Sequence, residues 1–366
     1  MYYDKIDYDV IKKSWEILSV NITLPYVIHI VGTNGKGSTG RYLASILHQL
    51  DKEVLHYSSP HILQFNERIW IDGKDVSDSI LNDAHRSLQK ILPELLLEKL
   101  TYFEYTTLLA LYLSKDKEYL VLEAGLGGEF DATNVVKNDL TIVTTIGLDH
   151  QSFLGNTVEE IAATKMRSCD TRFILSNQIF DEVEDIKNKI LLDKEEIQKK
   201  RYTLDVDTQL LPDYLQNNLQ VALTVLEYLG FKNFDYIVPK LFGRFERITS
   251  NIIVDVGHNP LAAVTIAKEL KGEKHKFVLV YNSFYDKDYQ EVLLLMKPYI
   301  SEVQIISCDD KRIVKKSLLE KTAKNLSLKV NDFDIINLKK ENYYLVFGSF
   351  LVVESFLKGY ALYEKR

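Results

Sequence analysis

The chain has 366 residues, 46% of them hydrophobic and 27% charged, which suffices for well-buried cores in two domains. Its net charge of −7, with no block of lysine and arginine, excludes nucleic acid as the expected main ligand. Cys169 and Cys308 stand in no metal-binding spacing, the first residues are polar and acidic, and no apolar run approaches the roughly 18–20 residues of a membrane helix, so a cytoplasmic protein without secretory signal or membrane span is expected.

In chain order, short apolar runs rich in Val, Ile, Leu and Tyr predict strands over 26–31, 54–57, 119–123, 140–145 and 173–176. They resume over 252–256, 276–281, 302–306 and 343–347. Continuous apolar runs are the mark of strands buried on both faces, and their alternation with helical patterns predicts parallel α/β sheets. The charged segment 181–201 carries Val183, Ile186, Ile190 and Leu191 at helical spacing and predicts a solvated amphipathic helix. A second helix is predicted over 216–229. Gly230, Pro239 and Gly243 then mark a connection, which divides the chain into 1–240 and 241–366.

The unusual polar residues fall at the ends of these strands, where doubly wound sheets bind ligands. "HIVGTNGKGSTG", His29 to Gly40, resembles a phosphate loop, yet Gly37 stands where the common pattern has a hydroxyl directly after its lysine. Glycines 32, 35 and 37 would let the backbone approach a tetrahedral anion, with Lys36 and a helix N-terminus facing it. Ser59 follows the second strand, Glu123 ends the third and is a candidate magnesium ligand, and His150 follows Asp149 after the fourth. Asp255 and His258 close "NIIVDVGHNP" in the second half.

"GTNGKGS", "SSPHILQFNERI", "EAGLGGEFDATNV", "IGLDHQSFLGNTVEEIAATK", "GRFERI", "DVGHNP", Asp286–Asp288 and "VFGSF" resemble, in this order, the motifs of the folylpolyglutamate synthase/dihydrofolate synthase family of the Mur ligase superfamily. The resemblance implies an N-terminal P-loop-type ATPase domain with a mainly parallel sheet and a smaller Rossmann-like α/β C-terminal domain. It implies an enzyme that phosphorylates a carboxylate with ATP and joins the resulting acyl phosphate to the amine of L-glutamate, with dihydropteroate or a reduced folate as acceptor.

The same resemblance assigns residues. Gly32, Thr33, Asn34, Gly35, Lys36, Gly37, Ser38 and Thr39 would bind the nucleotide, with Asn218, Arg244 and Asp255. Ser59, Glu123 and His150 would hold one or two magnesium ions. Lys165 matches a lysine often carbamylated in the superfamily, although "MRS" after it departs from the usual small residues. His258 matches a residue near the acyl phosphate. Thr101, Phe103, Asp131 and Ala132 resemble residues around the pterin, while Glu129 stands where the family usually has arginine. Catalytic roles are expected for Lys36, His150, Lys165, Asp255 and His258. Partners are the small-molecule substrates, with no nucleic acid and no membrane, and a monomer is expected.

Two other readings compete. A Mur-type ligase acting on a UDP-sugar peptide would carry a nucleotide-sugar domain ahead of the loop, and only 31 residues precede Gly32. A non-catalytic nucleotide-binding relative would rest on Glu129 and the altered segment after Lys165.

Overall fold

The structure, a computed structural model, describes residues 7–20, 22–204, 208 and 210–364. The chain divides into two compact units, Met1–Pro239 and Lys240–Arg366, each built on its own sheet.

The first unit holds β1 (Tyr26–Val31), β2 (Val54–Tyr57), β3 (Ile69–Ile71), β4 (Lys74–Asp75), β5 (Tyr119–Glu123), β6 (Leu140–Val143), β7 (Arg172–Leu175) and β8 (Glu195–Glu196). Their order is β4-β3-β2-β5-β1-β6-β7-β8. Neighbours from β2 to β8 run parallel, and β3 and β4 extend the edge antiparallel. β1 lies inside the sheet, with Val27, Ile28, Ile30 and Val31 buried, because an apolar run tolerates neighbours on both faces. The chain reaches β5 on one side of β1 and β6 on the other, so the loops after these three strands meet at the point where strand order switches.

The second unit holds β9 (Glu246–Thr249), β10 (Ile252–Asp255), β11 (Phe277–Tyr281), β12 (Ile300–Ile305), β13 (Lys329–Asp332) and β14 (Tyr344–Phe347), in the order β13-β12-β11-β14-β10-β9. All neighbours are parallel except the edge pair β9–β10. β14 inserts between β10 and β11 with Phe347 in register with Asp255, which brings the "VFGSF" turn beside "DVGHNP".

Two expectations need correction. The helix expected over 181–201 covers only Glu182–Ile190. Its chain then turns, Lys194 donating its backbone N–H to Leu191 O at 3.0 Å, and Glu195 and Glu196 pair along the open edge of β7. An unpaired strand edge offers backbone hydrogen bonds that helical spacing of side chains cannot outbid. The helix expected from 216 begins earlier, as Asp213–Tyr228, with Pro212 at its N-cap, so Asn218 lies in its second turn.

Among the described residues no helix is long and apolar enough to cross a membrane. Cys169 and Cys308 are free thiols.

Candidate functional site

β1 ends in residues 32–35, and the helix Lys36–Gln49 begins directly after them. Gly35, at φ 92, is its N-cap and supplies no side chain, and no acidic residue sits in the first turn. The first-turn N–H groups therefore keep their partial positive charge for an external anion. Gly32, at φ 148, packs so closely on Thr144 that a Cβ would overlap its hydroxyl, and a Cβ on Gly35 would lie 2.9 Å from Asn218 Oδ1. Glycine at these two positions is a demand of backbone and packing.

The loop is tied to the end of β6. Thr33 and Asn34 donate backbone N–H groups to Thr145 O at 2.9 and 3.1 Å. The Thr33 hydroxyl donates to Gly147 O at 3.0 Å and accepts from Gly147 N at 3.1 Å. Lys36 Nζ donates to Gly32 O at 3.1 Å and to Thr33 O at 3.2 Å. Lys165, from the helix Val158–Met166, donates to the same Gly32 oxygen at 2.8 Å and is 4% exposed. Burial, with the charge of Lys36 acting in the same sense, lowers its pKa to about 7. Gly37 is the second residue of the helix, and Ser38 and Thr39 are buried in its first turn. Thr39 Oγ1 and Asn218 Nδ2 are buried without a hydrogen-bond partner, as groups poised beside a polar ligand are.

Of the expected metal ligands, Ser59 and Glu123 meet: Ser59 donates its backbone N–H to Glu123 Oε2 at 3.3 Å, and Glu123 is buried at the end of β5. His150 adopts a left-handed backbone at φ 51, and its backbone N–H donates to Asp149 Oδ1 at 2.8 Å. Among the described residues no three His, Cys, Asp or Glu side chains gather into a metal-holding group.

Of the residues expected on the acceptor side, Phe103 and Asp131 touch Gly125 and Leu126. Thr101 caps the helix Tyr102–Leu113 in a reciprocal box with Glu104, at 2.8 and 3.2 Å. Phe103 lies against Gly125, where a Cβ would come 2.5 Å from the ring, and stands 6.0 Å from the Tyr57 ring. Asp131 caps Ala132–Val135 and accepts from Thr133 N at 2.9 Å, Thr133 Oγ1 at 2.6 Å and Leu126 N at 2.7 Å. Burial raises its pKa against the pull of those bonds. Ala132 is buried beneath it. Glu129 turns its carboxylate to Arg167 at 3.1 Å, so a cation from "MRS" stands beside the acidic replacement.

In the second unit, Asp255 ends β10 buried and accepts from Phe245 N at 2.8 Å and Gly257 N at 2.7 Å. The bonds bend the turn that carries His258, whose Nδ1 lies 3.2 Å from Val256 O. Arg244 packs its guanidinium 5.1 Å from the Phe350 ring centre.

Two features have no counterpart among the expected site residues. Glu67 accepts backbone N–H groups of Ile62, Leu63 and Gln64 at 2.7, 2.8 and 2.8 Å, and Ser58 N donates to Arg68 O at 2.8 Å, closing the loop that begins at Ser59. The glutamate in "FNERI" was its visible trace. His29 Nε2 lies 2.8 Å from Thr133 Oγ1, and a histidine inside the apolar run "YVIHIV" was the signal for it.

No protein-family model matches the chain. It is 32% identical to the dihydrofolate synthase/folylpolyglutamate synthase of Haemophilus influenzae, across 95% of this chain and 92% of that relative. The crystal structure of Helicobacter pylori folylpolyglutamate synthetase superposes with a TM-score of 0.77 at 35% identity, covering 98% of this chain and 95% of the other. A bifunctional folylpolyglutamate synthase/dihydrofolate synthase with Mn, AMPPNP and L-glutamate bound superposes with a TM-score of 0.84 at 25% identity, covering 98% and 95%. With this identity over almost the whole chain, the protein belongs to the dihydrofolate synthase/folylpolyglutamate synthase family.

Proposed function

We propose that the protein is an ATP- and magnesium-dependent ligase that joins L-glutamate to dihydropteroate and to the terminal glutamate of reduced folates. The observation that carries this reading is the uncapped helix N-terminus at Gly35, with Lys36 and Lys165 converging on the Gly32 carbonyl. A relative holding Mn, AMPPNP and L-glutamate supports a nucleotide, a divalent cation and glutamate as ligands.

Magnesium-ATP supplies the phosphoryl group that turns the acceptor carboxylate into an acyl phosphate, which the glutamate amine then attacks with release of phosphate. The chain's own groups bind and orient. The first-turn amides of Lys36, Gly37 and Ser38 and the Lys36 ammonium receive the β- and γ-phosphates, and Asn218 lies beside Gly35 of the loop. The oxygens of Ser59 and Glu123 and the imidazole of His150 fit a magnesium ion that retains waters. Arg244, Asp255 and His258, in the second unit, match by resemblance the family's nucleotide and acyl-phosphate residues. Thr101, Phe103, Asp131 and Ala132 line the acceptor site, where an aromatic face and a carboxylate suit a flat, N–H-bearing heterocycle.

Lys165 becomes carbamylated in the working enzyme. Its buried amine, with a pKa of about 7, is neutral in a large fraction at physiological pH and so can add carbon dioxide. Isotope-labelled bicarbonate should give one carbamate carbon signal that Lys165→Arg lacks, and the same signal in that variant would refute the assignment. The enzyme works as a monomer in the cytoplasm, and sedimentation of the purified protein tests the first point.

The deciding assay offers dihydropteroate and tetrahydrofolate separately, each with magnesium-ATP and glutamate, and follows ADP release. Turnover with both is expected. Activity with one alone would narrow the function, and folded protein that turns over neither would overturn it.

A further inference from the structure

A chain of three buried side chains leads from the middle of β1 to the acceptor side. His29 and Thr133 are each 1% exposed, and Asp131 is 8% exposed. Thr133 Oγ1 lies 2.6 Å from Asp131 Oδ1 and 2.8 Å from His29 Nε2. A hydroxyl has one proton to give, and the carboxylate, an acceptor only, takes it. His29 must therefore donate through Nε2, which fixes its tautomer and leaves Nδ1, buried and unpartnered, as the bare nitrogen. Burial holds this ring neutral, with a pKa of about 4. The donors run in one direction: His29 to Thr133, Thr133 to Asp131.

Nothing in the helix-capping role of Asp131 calls for this chain. The cap is complete with the Thr133 backbone N–H at 2.9 Å, and the other carboxylate oxygen already holds Leu126 N at 2.7 Å. A histidine in a central strand also costs the burial of an unpaired nitrogen. What the chain adds is orientation: a charge-assisted bond of 2.6 Å fixes the carboxylate plane, and His29 fixes the hydroxyl that makes it.

We propose that Thr133 and His29 are positioning residues for the ligase reaction, acting through Asp131 to set the acceptor pocket. This rests on the acceptor-side reading of Asp131 given above. Among the described residues their side chains bond to each other and to Asp131, not to the nucleotide loop, so their loss is felt in acceptor binding and not in ATP binding.

The test compares Thr133→Val, which keeps the shape and removes the hydroxyl, with Thr133→Ser, which keeps the hydroxyl. KM for dihydropteroate and KM for ATP are measured on both, beside thermal unfolding. Loss of a bond to a charged group predicts a rise of about tenfold or more in acceptor KM for Thr133→Val, near-wild-type values for Thr133→Ser, and an unchanged ATP KM in both. If Thr133→Val does not fold, His29→Leu carries the test with an expected rise of about threefold. An acceptor KM that stays at the wild-type value, or that rises together with the ATP KM, overturns the positioning role. A lower melting temperature with both KM values intact also overturns it, marking the chain as purely structural. Wild-type protein that turns over no pteridine acceptor overturns the ligase reading itself, and the role assigned here with it.

Discussion

Lys165 Nζ donates to the carbonyl oxygen of Gly32 at 2.8 Å, across 133 residues of sequence. Lys36 Nζ donates to the same oxygen at 3.1 Å. One carbonyl at the start of the phosphate loop thus holds two lysines, one of them fully enclosed. Burial penalises the charged form of Lys165, and the nearby Lys36 ammonium adds to the cost, which is why Lys165 gives up its proton near neutral pH.

That shift gives a stability prediction. Lys165 has a pKa of about 7 when folded, against about 10.4 for an exposed lysine. Between these values the unfolded chain binds more protons, so this group makes folding more favourable as pH rises. Below pH 7 both states are protonated and its penalty is constant. Lys165→Met removes the group, so wild type should gain stability relative to the variant from pH 7 upward. Urea unfolding at pH 7, 8 and 9 in bicarbonate-free buffer measures the gap, and a gap that stays flat would show that Lys165 is not buried as a cation.

Glycine substitutions separate backbone strain from collision. Gly230 has φ +97 with nothing within 4 Å of a Cβ, so Gly230→Ala carries strain alone, roughly 1–2 kcal/mol. Gly32→Ala adds overlap with the Thr144 hydroxyl, which is itself anchored to Val31 O at 3.2 Å and has little room to yield. We expect Gly32→Ala to be the more destabilised in thermal melts and to lose ATP binding, while Gly230→Ala keeps full turnover. Equal melting temperatures would refute the packing argument.

Lys36→Ala should leave the fold intact and lower kcat/KM by about a hundredfold or more, the scale of losing a charge-assisted contact to a reacting phosphate. Its ammonium bonds to two carbonyls of its own loop, Gly32 O and Thr33 O, so a modest change in melting temperature is expected. ADP release by the folded variant is the measurement, and near-normal turnover would remove Lys36 from the phosphate site.

Much of this framework was legible in the sequence because central strands buried on both faces read as unbroken apolar runs. β1, β2 and β5 begin and end where those runs do, against glycine, serine or charge. The edges were not legible. β3, β4 and β8 have two or three residues each, too short for a period, and β8 exists because β7 offers an open edge. The site was legible as motifs, residue by residue, but not as contacts. Nothing in the spacing of Lys165 or Thr133 shows that the first reaches Gly32 and the second His29, since the order of β5, β1 and β6 in the sheet creates both meetings.

In the second unit, the turn before His258 is held by two hydrogen bonds to the buried Asp255 carboxylate, with the imidazole Nδ1 3.2 Å from Val256 O. His258→Ala should therefore lower turnover with little loss of thermal stability. Asp255→Ala should do both, because it leaves the N–H groups of Phe245 and Gly257 without their acceptor, at about 1–3 kcal/mol each where they are buried. Circular dichroism melts beside ADP release separate the two. A His258→Ala protein that melts early yet keeps its specific activity would make the histidine structural.

Gly37 stands where the common phosphate loop carries a magnesium-binding hydroxyl. Ser38 and Ser59 are the two candidates to supply the oxygen that magnesium lacks there. Ser38 is buried in the first turn of the loop helix, one residue beyond the usual position. Ser59 has its backbone N–H 3.3 Å from Glu123 Oε2, beside the carboxylate best suited to the ion. A hard cation binds where oxygens converge, which favours Ser59. Ser59→Ala should raise the magnesium concentration for half-maximal activity several-fold, while Ser38→Ala leaves it near wild type. Titrating magnesium at saturating ATP on both variants decides the matter, and the reverse order would assign the ligand to Ser38.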